Sequence, residues 1–510
     1  MPRFSKRLII LFAGLCLMPH VSRANPWQDL AESDLTAIRT QIEMNHPGAV
    51  DPDNLGFGVW LKNGYTEAQH ALAGVQGLED YFLVLKQYVA GFRDPHVAID
   101  FFTPESGRKW PGFVVAGREG KVLVVESSTN SPPVGSELMS CDGVAVKSLL
   151  ADRVFRFRAD PAISASFDAA ARYLFLVTDN NFVGPPLQTC RFHDQEREFD
   201  FKLKWRDASS DALKLFEDAD GYSTRHFSLI KADNGIYWMS IPSFSSDQSN
   251  RSALERLFLA LNQKQADIAA SPALVIDLRG NSGGSSFFGE ILTYLLFDEE
   301  TLLHHAPPPG TVLAVDWRAS QGNLDYARTW LEPSNPRHHS DEGWTKSIIS
   351  GLEKTVDSDH PFFREFVPLP TFAEDPATLP YWRQQKSGPD DKRPSFIPTV
   401  PMQARIFVIT DGACVSACLD FLDLLKNFEG ITYLGLPTSA DTQYMDTRTV
   451  TLPSQLGTLT IPMKVYRNRQ RQPGESYSPD IVYDGLDRGE TAVRSWAEQI
   501  ISQKLSEADR

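Results

Sequence analysis

The spacing of apolar positions changes twice along the chain, and each change marks a different kind of structure. Between 27 and 44, Leu30, Ile38 and Ile42 recur at helical spacing. Between 78 and 92, Tyr81, Leu85, Tyr88 and Val89 share one side of a second helix, which Pro95 stops within Arg93-Asp94-Pro95-His96. Val97-Ala98-Ile99-Asp100-Phe101 then reads as a strand. From 110 to 205 the apolar runs are short and β-like: Phe113-Val114-Val115, Val122-Leu123-Val124-Val125, and a closing strand at 199–205, with a helix starting at Val146 and a helical insertion at 160–177. From about 220 the pattern becomes α/β. A strand at 236–241 precedes a helix at 252–261, and the uninterrupted apolar runs at 273–278 and 404–410 read as strands buried on both faces. Residues 305–395, rich in Pro, His, Asp and Trp with a helical stretch near 344–352, read as a large insertion, and the last 20 residues as a surface helix.

At 510 residues, with 42% hydrophobic and 23% charged side chains, the chain has material for several packed domains. Its first 24 residues stand apart. Arg3, Lys6 and Arg7 precede an apolar run at 8–18, and Ser22-Arg23-Ala24 places small residues where a signal peptidase reads. The run of about 11 residues is too short to span a bilayer, which takes about 20. The expectation is a signal peptide at 1–24, export to a periplasmic or extracellular location, and no stable membrane anchor after cleavage. Cleavage takes the net charge from −15 to about −19, a poor balance for binding nucleic acid. Of the five cysteines, Cys141, Cys190, Cys414 and Cys418 remain after cleavage. Four allow three pairings; Cys141 with Cys190 is a plausible bridge, and Cys414 and Cys418 serve as small side chains flanking Ser416. No Cys/His set has zinc-ligand spacing, so no metal site is expected, and serine chemistry of the kind considered below requires no cofactor.

Two segments share one shape. A strand ending at Asp277-Leu278-Arg279 runs through Gly280-Asn281-Ser282-Gly283-Gly284 into an apolar-faced helix. A strand ending at Thr410 runs through Asp411-Gly412-Ala413-Cys414-Val415 into a helix starting near Ser416. Helix N-termini carry unpaired N–H groups and partial positive charge, suited to stabilising an oxyanion. Either turn offers a serine nucleophile. Ser282 sits in G-x-S-x-G, the signature of an esterase-type elbow, which needs a downstream acid and histidine. Ser416 sits at a helix start among small residues.

The order of motifs favours Ser416. Asp277-Leu278-Arg279-Gly280-Asn281-Ser282-Gly283-Gly284 resembles the D-L-R-x-N-x-G-G signature of the C-terminal-processing and tricorn-type serine peptidases, and Cys414-Val415-Ser416-Ala417-Cys418 resembles their S-x-S-A-S turn. Asp94-Pro95-His96 is similar to the family's D-G-H, and Pro479-Asp480-Ile481 to the P-D near its C-terminus. The 134–144 stretch resembles the core of a PDZ domain. The resemblance covers roughly 27–485, with 305–395 outside it. It implies an α/β fold: a crotonase/Clp-like catalytic domain at 211–510, an N-terminal helical segment at 25–104 and a PDZ-like β-rich domain at 105–210. It also implies hydrolysis of protein or peptide substrates through an acyl-enzyme on Ser416, with the oxyanion held by Gly283, Gly284 and Ala417.

The base departs from one branch of that family. Where its lysine is expected the chain has Ser439-Ala440-Asp441-Thr442-Gln443; Lys426 points away from the start of its helix and Lys464 lies on a later strand. The tricorn-like branch uses an N-terminal histidine, a role His96 fits, with His46 in reserve. By resemblance Glu475 orients the histidine, with Asp441 the other candidate. Asp277 and Arg279 are expected to form a structural ion pair and Asn281 to brace its turn. Two other classes remain: a binding protein with this fold and no turnover, and the esterase-type hydrolase using Ser282.

Overall fold

Residues 25–103, 107–158, 160–219, 225–305, 312–333, 335, 342–368 and 400–508 are described in a computed structural model. The expected signal segment at 1–24 and much of the 305–395 insertion lie outside them. Asn25 caps helix α1 (Pro26–Asn45), its side chain accepting from Trp27 N–H while Pro26 fills a position that has no N–H to lose. Ala31, Leu35, Ile38 and Ile42 form the fully buried stripe of α1. They join a cluster that also draws on α2 (Leu55–Ala71) and α3 (Leu78–Ala90). A fully buried aliphatic side chain of this size stabilises by about 1.5–3 kcal/mol, so the N-terminal segment is part of the core. Beyond Asp94-Pro95-His96 the chain enters strand β1 (Ala98–Phe101).

The next unit is an antiparallel sheet. Strands β2 (Phe113–Arg118), β3 (Lys121–Ser127), β4 (Glu137–Cys141), β5 (Thr189–His193) and β6 (Glu198–Lys202) pair in that order, with Val144–Ala145 hairpinned onto β4. Cys141 and Cys190 face each other across β4 and β5 and form a disulfide. The expected helical insertion is a short helix, Ser164–Ala170, continuing as a 3-10 turn to Phe175.

Six strands then form a second sheet, ordered β7 (Ser228–Lys231), β8 (Tyr237–Ser240), β9 (Ala273–Asp277), β12 (Arg405–Thr410), β13 (Thr432–Gly435) and β16 (Ile481–Val482). All pairings are parallel except β7 with β8. One face carries α4 (Gln248–Gln263), α5 (Ser286–Leu296) and α8 (Ala417–Leu425). The other is covered by α9 (Glu490–Ala508) through Ala497 and Ile501. Cover on both sides is why β9 and β12 are continuously apolar. Because β9 and β12 are parallel neighbours, with Asp277 opposite Ile409, the two Gly-rich turns leave the same edge of the sheet side by side.

The 305–395 segment is more integrated than an inserted lobe. Its strands β10 (Val312–Arg318) and β11 (Phe362–Pro368) pair with each other, and β10 pairs with the long strand β15 (Gly457–Arg467), which also receives β14 (Tyr444–Thr451) and β1. Helices α6 (Gln321–Thr329) and α7 (Glu342–Val356) bury Trp317, Trp330, Ile348 and Leu352 against Met463 of β15. The physical reason is alternation: Val315, Trp317 and Met463 face inward while Asp316 and Arg364 pair across β10 and β11. This five-stranded sheet anchors β1, and so fixes the position of His96.

Candidate active site

The turn after β9 is braced by its own side chains. Asp277 accepts two hydrogen bonds from the Arg279 guanidinium, at 2.8 and 2.6 Å, and both side chains are buried. Asn281 donates to Ile241 O at 3.0 Å and accepts from Gly283 N at 2.9 Å. The expected ion pair and brace are therefore present. Backbone strain in this turn falls on glycine. Gly284 has φ 137°, and a Cβ there would stand 2.0 Å from Phe244 O, so no other residue fits. Ser282 is exposed and is not among the positive-φ residues.

The turn after β12 places its strain on the serine instead. Ser416 caps α8 with φ 58° and ψ −125°, a conformation that costs a non-glycine residue about 1–3 kcal/mol and clusters at functional sites. Its side chain does not cap its own helix, which leaves Oγ for other chemistry. Asp411 ties the two turns together, accepting from Ala413 N at 3.0 Å in its own turn and from Gly280 N at 2.9 Å in the other. The turns meet at Ser416: a Cβ on Gly283 would lie 2.9 Å from Ser416 Cβ and 3.1 Å from Ala417 N. Of the three expected oxyanion donors, Gly283 N–H is already taken by Asn281. Among the described residues Gly284 N–H and Ala417 N–H have no hydrogen-bond partner.

His96 is built by a local turn. Asp94 Oδ1 accepts the backbone N–H of His96 at 2.9 Å, the Asx geometry that the Asp-Pro-His sequence favours. The same oxygen stands 3.6 Å from His96 Nδ1. On its other side, Asp94 Oδ2 lies 3.7 Å from His46 Nε2. His46 Nδ1 accepts from Gly48 N at 2.9 Å, so the proton of neutral His46 is on Nε2, toward Asp94. Burial holds His46 below its ordinary pKa against the pull of Asp94. Burial also penalises a charged Asp94, but the two imidazoles outweigh it and keep the carboxyl ionised well below its ordinary value. For His96, burial lowers the pKa, yet the adjacent Asp94 carboxylate and the charges of Asp441 and Asp420 outweigh it, and the net shift is upward.

Of those further charges, Asp420 lies on α8, the helix that begins just after Ser416. Asp420, on the first turn of α8, donates its N–H to Ser416 O at 3.0 Å and accepts from Ser286 Oγ at 2.6 Å. Burial and the charge of Asp441 push its carboxyl up. Asp441 is fully buried and held by Arg471 and, at 3.1 Å, by Arg469. Glu475 is exposed, its carboxylate accepting from Gln472 N at 2.7 Å within its own turn. The carboxylate against His96 Nδ1 is thus that of Asp94, a residue that sequence reasoning named only as part of a motif; its spacing of two from the histidine was the available signal. His46, a reserve base by sequence, stands behind Asp94. The structure also corrects the cysteine reading: Cys414 and Cys418 are joined in a disulfide that brackets Ser416.

No protein-family model matches the sequence, and no curated protein matches it. Solved structures do. Mature CPAF, complexed with lactacystin, matches at 17% identity and a TM-score of 0.58, over 94% of this chain and 100% of that one. A CPAF serine-to-alanine mutant matches at 16% and 0.60, over 94% and 98%. The photosystem II D1 C-terminal processing protease matches at 11% and 0.32, over 90% and 93%. At these identities the likeness concerns the fold alone, and the chain has a mixed α/β fold that it shares with mature CPAF over nearly the full length of both.

Proposed function

We propose that the chain is an exported serine peptidase that hydrolyses peptide bonds of protein or peptide substrates through an acyl-enzyme on Ser416. The observation that carries this reading is the convergence at Ser416: a strained serine at a helix N-terminus, with the α-carbon of Gly283 packed against it. Ser416 Oγ attacks the scissile carbonyl while His96 takes its proton. The carbonyl oxygen becomes an oxyanion facing the N–H groups of Gly284 and Ala417 at the start of α8. His96 then protonates the leaving amine, and water repeats the cycle to release the acid. Asp94 orients His96 and stabilises the imidazolium. It takes the place that resemblance alone gave to Glu475. In this reading the 113–202 sheet is a PDZ-like module and the parallel sheet a crotonase/Clp-like catalytic domain.

The test is hydrolysis of a protein substrate or peptide library by the purified mature chain. Activity abolished in Ser416→Ala and His96→Ala supports the proposal. Unchanged hydrolysis in Ser416→Ala sinks it, and hydrolysis lost only in Ser282→Ala selects the esterase-type arrangement.

A further inference from the structure

We infer that the Cys414–Cys418 disulfide holds Ser416 in its reactive conformation, so that oxidation of this pair switches the enzyme on. The inference rests on Ser416 being the nucleophile. The bond joins the second residue before Ser416 to the second after it, across a Cα separation of 5.3 Å, and closes a loop with Ser416 at its centre. In the partner turn the positive-φ positions are all glycines, which adopt that conformation without strain. Here the position is serine, so something must hold it. The serine side chain makes no cap, and Asp411 ties down only the upstream residues through Ala413 N and Cys414 N. Downstream, Cys418 N and Asp420 N bond to Val415 O and Ser416 O, ties compatible with the helix growing by one residue through Ser416. The covalent closure opposes that relaxation.

Both cysteines have no solvent exposure, and Cys418 packs among Phe421 and Leu422 of the core. Two thiols need more room than one bonded pair. In a close-packed interior that room comes from the turn, moving Ser416 away from Gly283. The other disulfide, Cys141–Cys190, spans two strands of a different sheet and touches none of these residues. In the activating step the thiols of Cys414 and Cys418 give two electrons and two protons to a disulfide-bearing oxidant. One S–S bond forms in the protein as one breaks in the oxidant, which leaves as two thiols. A chain kept reduced is silent, and a chain that reaches an oxidising compartment becomes active.

The experiment compares the full mature chain with the Cys414→Ala/Cys418→Ala and Cys141→Ala/Cys190→Ala double variants. It measures fluorophosphonate labelling rate at Ser416, kcat and KM for a cleaved peptide, and thermal melting. Removal of the bracketing pair is expected to slow labelling and kcat by roughly a hundred-fold, the order of loss for a misplaced reacting group, with KM and cooperative melting retained. Removal of the remote pair leaves labelling unchanged. Wild type reduced by a phosphine, with each cysteine's state read by mass spectrometry, loses labelling in proportion to free Cys414 and regains it with glutathione disulfide. This arm decides the matter if the double variant does not fold. Labelling of Cys414-reduced protein within about two-fold of the oxidised rate overturns the inference, as does global unfolding when this pair alone is reduced. Failure of oxidised wild type to label at Ser416 is a separate result, against the nucleophile itself.

Discussion

The turns after β9 and β12 follow neighbouring parallel strands, each precedes a buried helix, and Asp411 hydrogen-bonds to both. They differ in where the unusual backbone sits. In the first it falls on Gly280, Gly283 and Gly284, and the polar side chains Asp277, Arg279 and Asn281 are spent on bracing. In the second it falls on Ser416, whose side chain is not used to cap its helix, and a disulfide spans the position. The first turn can present backbone N–H but no held side chain; the second presents both. In the proposed reading the G-x-S-x-G pattern does not mark the nucleophile; the strain and the helix start coincide at Ser416 instead.

The largest break in this comparison comes from swapping which serine is removed. Ser416→Ala is expected to lower kcat/KM by roughly ten-thousand-fold or more, while Ser282→Ala stays within about two-fold; steady-state kinetics on one peptide reads both. Next is Asp94→Asn, with an expected loss between about a hundred-fold and ten-thousand-fold, larger than that of Glu475→Gln. Its pH profile adds a sign. The base acts when neutral, and the carboxylates around His96 raise its pKa, so the acidic limb of kcat/KM should lie above the ordinary histidine range near 6.5. Removing the Asp94 charge should move that limb to lower pH, and a limb that stays put argues against Asp94 as partner. Gly283→Ala pushes a methyl to 2.7 Å from Val415 O at a backbone of φ 91° and should cost about a hundred-fold in kcat. Asn281→Ala, which loosens the brace without adding bulk, should cost about ten-fold.

What the sequence revealed depended on whether one stretch of chain held the whole signal. Strands β9 and β12 were legible because burial on both faces makes them continuously apolar, and α5 and α8 because their buried residues fall at helical spacing. Strands β10 and β11 were obscured by the Pro- and His-rich composition around them, although Val315, Asp316 and Trp317 alternate as a one-sided strand should. At the site, the candidate Ser416 came from four motifs that occur in order, and the structure adds the strained backbone at that residue. The carboxylate partner was not. Asp94, Asp441 and Glu475 are far apart in sequence, and the antiparallel register of β1 on β15, Ala98 opposite Thr460, sets where the Asp94–His96 turn stands. The spacing of Cys414 and Cys418 permits a bond without choosing it; only the folded turn, with their α-carbons 5.3 Å apart, reveals the pairing.

The most direct test of the central claim is to label the oxidised mature chain with a fluorophosphonate and locate the adduct by peptide mass spectrometry. The account predicts a single modified serine, Ser416, with labelling abolished in His96→Ala. An adduct on Ser282, or an active preparation that carries no adduct at Ser416, would contradict it.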